Sequence, residues 1–224
     1  MNPSAGPILY TSGDTLPYWR YTGDRIKGYA DKIGAKLVIL PQRKIGNPQW
    51  VFFDALEHSL RDECVRAGWI DADILTGKHA SSIFDPNWGN RLMLCQPTEP
   101  DGVHPKWLRA VNSGNWGVPN PRPYASTAIA AWTPGKVADL VEWFNAGAKT
   151  ERFPGLWGDQ EILALACWEL DLPYHFFPAD LHGGYKRTLL SNISEMIHAG
   201  GGNKCDKLQK ILPHLELAET QYAT

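Results

Sequence analysis

Two aspartates one residue apart, Asp71 and Asp73 in the stretch WIDADIL (69–75), are the first residues with chemistry to offer. Bulky apolar residues run into them and out again, an expensive place for carboxylates unless a cation, a metal or hydrogen bonds meet them. On an extended backbone, side chains at i and i+2 point the same way. Two such carboxylates repel. A hard divalent cation, Mn²⁺ or Mg²⁺, relieves the repulsion through oxygen ligation and keeps positions open for phosphate oxygens. The spacing alone also arises about once by chance in a chain of this composition, and a pair of solvated turn acids would account for it too.

A second constellation lies far downstream in IHAGGGNKCDKLQKIL (197–212), where His198, Gly201 and Lys204 form H-x-x-G-x-x-K. A glycine run lets backbone N–H groups approach an anion closely, and it leads into a helix N-terminus that favours phosphate. Lys204 adds a point charge, and His198 can offer a nitrogen to a metal such as Mn²⁺. The alternative is a flexible glycine loop with a surface lysine and a core histidine. A third stretch, WGDQEIL (157–163), opens a helix with Asp159, Gln160 and Glu161. The helix dipole accounts for both acids; an adjacent carboxylate and amide could also grip sugar hydroxyls.

The elements that must position these residues follow from periodicity. PILYT (7–11) reads as a strand, 18–33 as a helix ended by Gly34, and KLVIL (36–40) as a strand. Residues 50–67 read as a helix with Gly68 at its C-cap, followed by the strand WIDADIL. This β-α-β-α-β run predicts a parallel sheet with helices on its faces, with ligands at the carboxyl ends of the strands, where both SGD (12–14) and DAD (71–73) fall. Further on, 91–95 and 126–132 read as strands. A helix opens at Thr133-Pro134 and runs to about 144, and another spans 159–169. Strands at 173–178 and 194–198 follow, then a helix from 204 to 212 that Asn203 caps and Pro213 ends.

Composition sets outer bounds. The 224 residues, 43% hydrophobic and 21% charged, suit one domain with a substantial core. A net charge of −2 without a basic patch argues against nucleic acid as a partner. Four scattered cysteines with no CxxC suggest neither a zinc site nor a disulfide framework, and the expected setting is a reducing, cytoplasmic one. The N-terminus does not read as a secretion signal, and no run reaches the roughly 20 apolar residues of a membrane span. The ten tryptophans are unusual; Trp88, Trp107 and Trp116 fall in the loop-rich stretch 77–125, where they could face an acceptor or pack the loops.

In order, WIDADIL, VNSGNWG, GDQEILALA and HAGGGNK resemble the metal-dependent glycosyltransferases of the GT-A fold, in particular the retaining group of glycogenin, the bacterial lipopolysaccharide galactosyltransferases and the fungal and plant galactosyl- and xylosyltransferases. The likeness spans about residues 7 to 212, carried by these four blocks. It implies an α/β, GT-A-like (Rossmann-like), mostly parallel central sheet flanked by helices. It also implies one compact domain over 1–224, with a nucleotide-binding half at about 7–76 and an acceptor and catalytic half at about 77–224. It implies that Asp71, Asp73 and His198 hold Mn²⁺ (or Mg²⁺), with Asp71, Ala72 and Asp73 against the donor. Gly201 and Lys204 would contact its phosphates, Asn112 and Ser113 its sugar, and Tyr10 and Thr11 its base. Asp159 and Gln160 would lie at the reaction centre. The partners implied are a nucleotide-sugar donor, UDP-sugar before GDP-sugar, and a carbohydrate acceptor. The chain departs from the pattern in having no lysine ahead of the DxD strand and no proline–tryptophan pair after Lys204. The alternatives are a phosphatase of the haloacid dehalogenase type, whose DxD wants Thr or Val where Leu75 stands, and a carbohydrate-binding module built on the tryptophans.

Overall fold

Short apolar runs, buried along their whole length at 8–12, 67–70, 92–95 and 126–132, form the central sheet. In the computed structural model, which describes residues 6–43, 47–96, 125–149, 158–184 and 195–221, six strands lie in the order β2-β1-β3-β6-β5-β7. They are β1 (Ile8–Ser12), β2 (Lys36–Leu40), β3 (Ala67–Ile70), β5 (Leu92–Cys95), β6 (Ser126–Trp132) and β7 (Tyr174–Phe176). β1 pairs in parallel with β2 and β3, and β5 with β7, while β6 runs antiparallel between β3 and β5. The sheet is therefore mostly parallel, as the alternating pattern predicts. A second sheet of three strands, in the order β4-β9-β8, comprises β4 (Ile74–Thr76), β8 (His182–Gly184) and β9 (Met196–His198).

Five helices cover these sheets among the described residues: α1 (Trp19–Lys32), α2 (Val51–Arg61), α3 (Ala138–Lys149), α4 (Asp159–Glu169) and α5 (Lys204–Gln221). Alternation along β1 divides the core. Ile8 and Tyr10 join Phe52, Phe53, Trp69, Trp132 and Phe144 on the face covered by α2, α3 and α4. Leu9 joins Ile26, Tyr29, Ile70 and Ile129 on the face covered by α1. Trp132 is almost wholly buried and its indole N–H donates to Ser59 Oγ at 2.8 Å, which removes the penalty of enclosing a polar nitrogen. A third cluster joins Leu75 and Ile197 of the small sheet to Leu208, Ile211 and Leu215 of α5.

The structure corrects several expectations. WIDADIL is not one strand: β3 ends at Ile70, β4 starts at Ile74, and the two belong to different sheets. α2 stops at Arg61 rather than 67, because Glu63 takes a left-handed backbone (φ 48°) that turns the chain back, and Cys64 is buried from that turn. Gly68 lies inside β3. A Cβ there would come within 2.8 Å of Ile83 Cδ1 and 3.0 Å of Phe84 Cζ, so the missing side chain permits close packing and does not end a helix. The helix expected at Thr133-Pro134 begins with a single 3₁₀ turn over Pro134–Lys136 before α3, and the Thr133 hydroxyl caps nothing. Strand β8 lies where the sequence pattern predicts no strand.

α5 runs through Pro213 to Gln221 instead of ending there. An interior proline costs a helix about 3 kcal/mol. Tertiary contacts beyond it offset that: Leu215 is buried, and Glu219, 6% exposed, accepts from Arg25 Nη1 at 2.8 Å and from the Lys78 backbone N–H at 2.7 Å. Glu219→Ala would leave Arg25 with Glu216 at 3.7 Å and the Thr76 carbonyl at 3.2 Å but without its shortest ionic contact, so it should lower unfolding free energy by about 2 kcal/mol. Urea denaturation of the two proteins measures this, and a loss under about 0.5 kcal/mol would remove the clamp as the reason the helix continues.

Candidate active site

The acid triplet occupies the turn by which the chain leaves the large sheet for the small one. The Asp71 N–H donates to the Ala128 carbonyl at 2.9 Å, which ties the start of the turn to β6, and the Ile74 N–H closes the turn on the Asp71 carbonyl at 3.1 Å. Thr22 of α1 donates its hydroxyl to the Ala72 carbonyl at 2.5 Å. The two carboxylates converge because this turn is held from both sheets and from a helix, and not because a strand presents them.

His198 arrives through strand pairing. β4 and β9 are antiparallel, with Ile74 opposite His198, and the Ala199 N–H donates to the Asp73 carbonyl at 3.2 Å. This puts His198 Nε2 3.4 Å from Asp73 Oδ1. One ligand atom each from Asp71, Asp73 and His198 lie within 4.8 Å of one another. Gly200 backs the imidazole closely: a Cβ there would come within 2.9 Å of His198 Cε1. Lys204, the first residue of α5, brings its ammonium to 2.8 Å from Asp73 Oδ2 and to 5.0 Å from the centre of the Tyr18 ring. Tyr18 is thus a wall of the site that its sequence context does not mark. Asn203 before it takes a left-handed backbone (φ 54°), and its carbonyl accepts from the Lys207 N–H. Gly201 lies in the same loop, exposed and at φ 81°.

The carboxylates are pushed in opposite directions. Burial, together with the charges of Asp73 and Asp159, raises the Asp71 pKa to about 8. Burial would raise Asp73 too, but His198 and Lys204 outweigh it and hold that carboxyl well below the usual range. The same contacts act in reverse on their partners: burial disfavours the charged forms of His198 and Lys204, and Asp73 overrides it and raises both. The Asp71 carboxylate accepts from the Trp69 indole N–H at 2.7 Å.

Asp159 and Gln160, at the start of α4, reach the same end of the sheet. Thr127 donates to Asp159 Oδ2 at 2.6 Å, the Gln160 N–H donates to Oδ1 at 3.0 Å, and burial raises the Asp159 pKa to about 6 against these bonds. Gln160 Nε2 donates to Ser126 Oγ at 3.3 Å. Thr127 and Ser126 open β6 and anchor the pair, a role that an apolar-run reading of STAIAAW does not disclose. At the end of β1 the Tyr10 side chain points into the core, fully buried, its hydroxyl donating to Asp62 at 2.6 Å; Thr11 is fully buried with no partner for its hydroxyl among the described residues. Trp88 packs edge-on against Phe177. Asn112, Ser113, Trp107 and Trp116 lie outside the described residues.

No family model matches the chain, and no curated protein matches it in sequence. Solved structures do match. One is a glycosyltransferase involved in glycosylation of the major capsid of PBCV-1, at TM-score 0.60 and 12% identity over 96% of this chain and 100% of that one. A second is mouse xyloside xylosyltransferase 1, at TM-score 0.55 and 10% identity over 90% of this chain and 99% of the other. A third is the galactosyltransferase LgtC in complex with donor and acceptor sugar analogues, at TM-score 0.58 and 9% identity over 94% and 95%. At such identities the likeness speaks to architecture: the chain has the GT-A fold of these glycosyltransferases.

Proposed function

We propose that the protein is a metal-dependent glycosyltransferase that moves a sugar from a nucleotide-sugar donor, UDP-linked in preference to GDP-linked, to a hydroxyl of a carbohydrate acceptor. The observation that carries this reading is the convergence of Asp71, Asp73 and His198 within 4.8 Å, with the Lys204 ammonium 2.8 Å from the same Asp73 carboxylate.

The residues suit a divalent ion. Two carboxylates and an imidazole are the donor set that Mn²⁺ accepts readily, and Mg²⁺ less so. Asp73 Oδ2 is buried and, beyond the Lys204 ion pair, has no hydrogen bond among the described residues. When bound, the ion supplies positive charge that stabilises the diphosphate as the sugar–phosphate bond breaks. The chain's own groups supply the rest. Lys204 and the N–H groups that open α5 favour the charge that develops on the leaving diphosphate, with Gly201 allowing its close approach. Gln160, steadied by Ser126, and Asp159, held by Thr127, would meet the donor sugar at the reaction centre. Asn112 and Ser113 are assigned to the sugar as well. Thr11, whose buried hydroxyl is unpartnered among the described residues, and the backbone of Tyr10 are assigned to the base; the Tyr10 hydroxyl is engaged elsewhere. In this reading the nucleotide half is about 7–76, and the acceptor half, with Trp88, is about 77–224. No helix among the described residues is long and apolar enough to cross a membrane, and all four cysteines are free thiols, which fits a reducing, cytoplasmic setting.

Incubation with a panel of UDP- and GDP-sugars tests the proposal: one donor should be hydrolysed or transferred in a Mn²⁺-dependent way, and Asp73→Asn should lower that rate by about a hundredfold or more. A panel left intact with and without Mn²⁺, or an Asp73→Asn variant as active as wild type, would sink it. Lys204→Ala should weaken UDP binding by about tenfold to a hundredfold, since a charge-assisted contact of about 1.5–3 kcal/mol is lost. Calorimetry that shows equal affinity would reject Lys204 as a phosphate contact. Protons compete with the metal here. With Asp71 raised to about 8 and His198 raised above its ordinary value, both carry protons in mildly acidic solution, and an ion must displace them. Mn²⁺ affinity should therefore climb from pH 6 to pH 8, up to about tenfold per unit for each proton released. Calorimetry in two buffers of different ionisation enthalpy counts the protons, and an affinity flat over this range would contradict the ligand set.

A further inference from the structure

The pairing of β8 with β9 brings a second imidazole to the site. The strands are parallel, with His182 opposite Met196 and Gly184 opposite His198. Met196 and His198 are two residues apart and share a face, so His182 lies on that face too. Its ring centre is 5.8 Å from that of His198, with the planes inclined at 39°. His182 is only 7% exposed, and its Nε2 is buried without a hydrogen-bond partner among the described residues. Such a nitrogen is a costly feature: a buried polar atom left unpaired destabilises the fold by about 1–3 kcal/mol. A phenylalanine or leucine would fill the space without that cost, so the ring has the character of a group whose partner is a bound molecule.

The partner's chemistry follows from the neighbours. The ligand atoms within 4.8 Å of one another belong to Asp71, Asp73 and His198, a set that leaves His182 out. His182 lies beside this set, its ring centre 5.8 Å from that of His198. A neutral imidazole there has one N–H to give. In the reading proposed above, the acceptor atoms beside these ligands are the diphosphate oxygens of the donor, anionic and able to take more hydrogen bonds than Lys204 alone supplies.

We propose that His182 is a donor-binding residue, its imidazole N–H donating to a diphosphate oxygen of the nucleotide held at Asp71, Asp73 and His198; this rests on the glycosyltransferase reading of that site. Mn²⁺ and UDP are the probes, with GDP in parallel. Calorimetry on the full chain gives two constants, for Mn²⁺ alone and for nucleotide at saturating Mn²⁺. His182→Phe retains the ring and loses the N–H; it should weaken UDP binding about tenfold while leaving Mn²⁺ affinity within about twofold. His182→Gln, with an amide N–H to donate, should recover most of the loss. Unchanged nucleotide affinity in His182→Phe overturns the assignment. So does a joint fall in Mn²⁺ affinity, which would make the ring a metal ligand. Should thermal unfolding find His182→Phe misfolded, His182→Met, unbranched and without an N–H, is read by the same two constants. Wild-type protein that binds neither Mn²⁺ nor UDP nor GDP sinks the glycosyltransferase reading along with this one; wild-type binding beside an indifferent variant sinks only the role of His182.

Discussion

One backbone register governs the candidate site: Ile74 opposite His198 in the small sheet, extended by the hydrogen bond from the Ala199 N–H to the Asp73 carbonyl. It joins positions more than a hundred residues apart and sets the imidazole beside the carboxylate. A slip of one residue would turn His198 to the opposite face of the sheet and present Ile197 or Ala199 to the acids. Apolar packing prevents that slip. Leu75 and Ile197 are buried against Leu208, Ile211 and Leu215 of α5, on the face of the small sheet away from the imidazole. The chemistry of the site thus depends on hydrophobic contacts behind it, and the helix that makes those contacts also delivers Lys204 to the front.

Charge is distributed unevenly over this frame. Asp73 is nearly inaccessible, yet Lys204 and His198 favour its ionised form; Asp71, two residues away, has an indole N–H and two acidic neighbours, and keeps its proton more readily. A pair with such opposed preferences is a place where burial and like-charge repulsion have been concentrated, a pattern common at functional sites. The fold tolerates it because the turn that carries both acids is fixed by backbone bonds to Ala128, to Thr22 and to β9, and those bonds do not depend on how the carboxylates titrate.

Much of the scaffold could be read from local pattern. STAIAAW is a strand over the span its apolar run suggests, and DQEILALACWE is a helix from Asp159 to Glu169. The parallel order of the first three strands follows from their alternation with helices. Where local reading failed, a longer-range contact had the larger effect. The apolar flanks of DAD look continuous because both β3 and β4 are buried, although they belong to different sheets. Pro213 does not end α5 because Glu219 and Leu215 are held by partners far away in the chain. Strand β8 was invisible because HGG has no alternation of its own and is ordered by its pairing with β9.

What the sequence determined by itself was the inventory and the periodicity: which side chains could bind a cation or a phosphate, and which segments would be helix or strand. Those properties are local, written in residue type and in spacings of two or 3.6. Only the tertiary structure decided which of these groups meet. It turned Tyr10 into the core and tied Asp159 to Thr127. It set Tyr18 under Lys204, and His182 beside His198. The reason is that such contacts are made between residues distant in the chain, whose proximity is decided by strand register and by which apolar faces are buried together, and neither leaves a mark in any short stretch of residues.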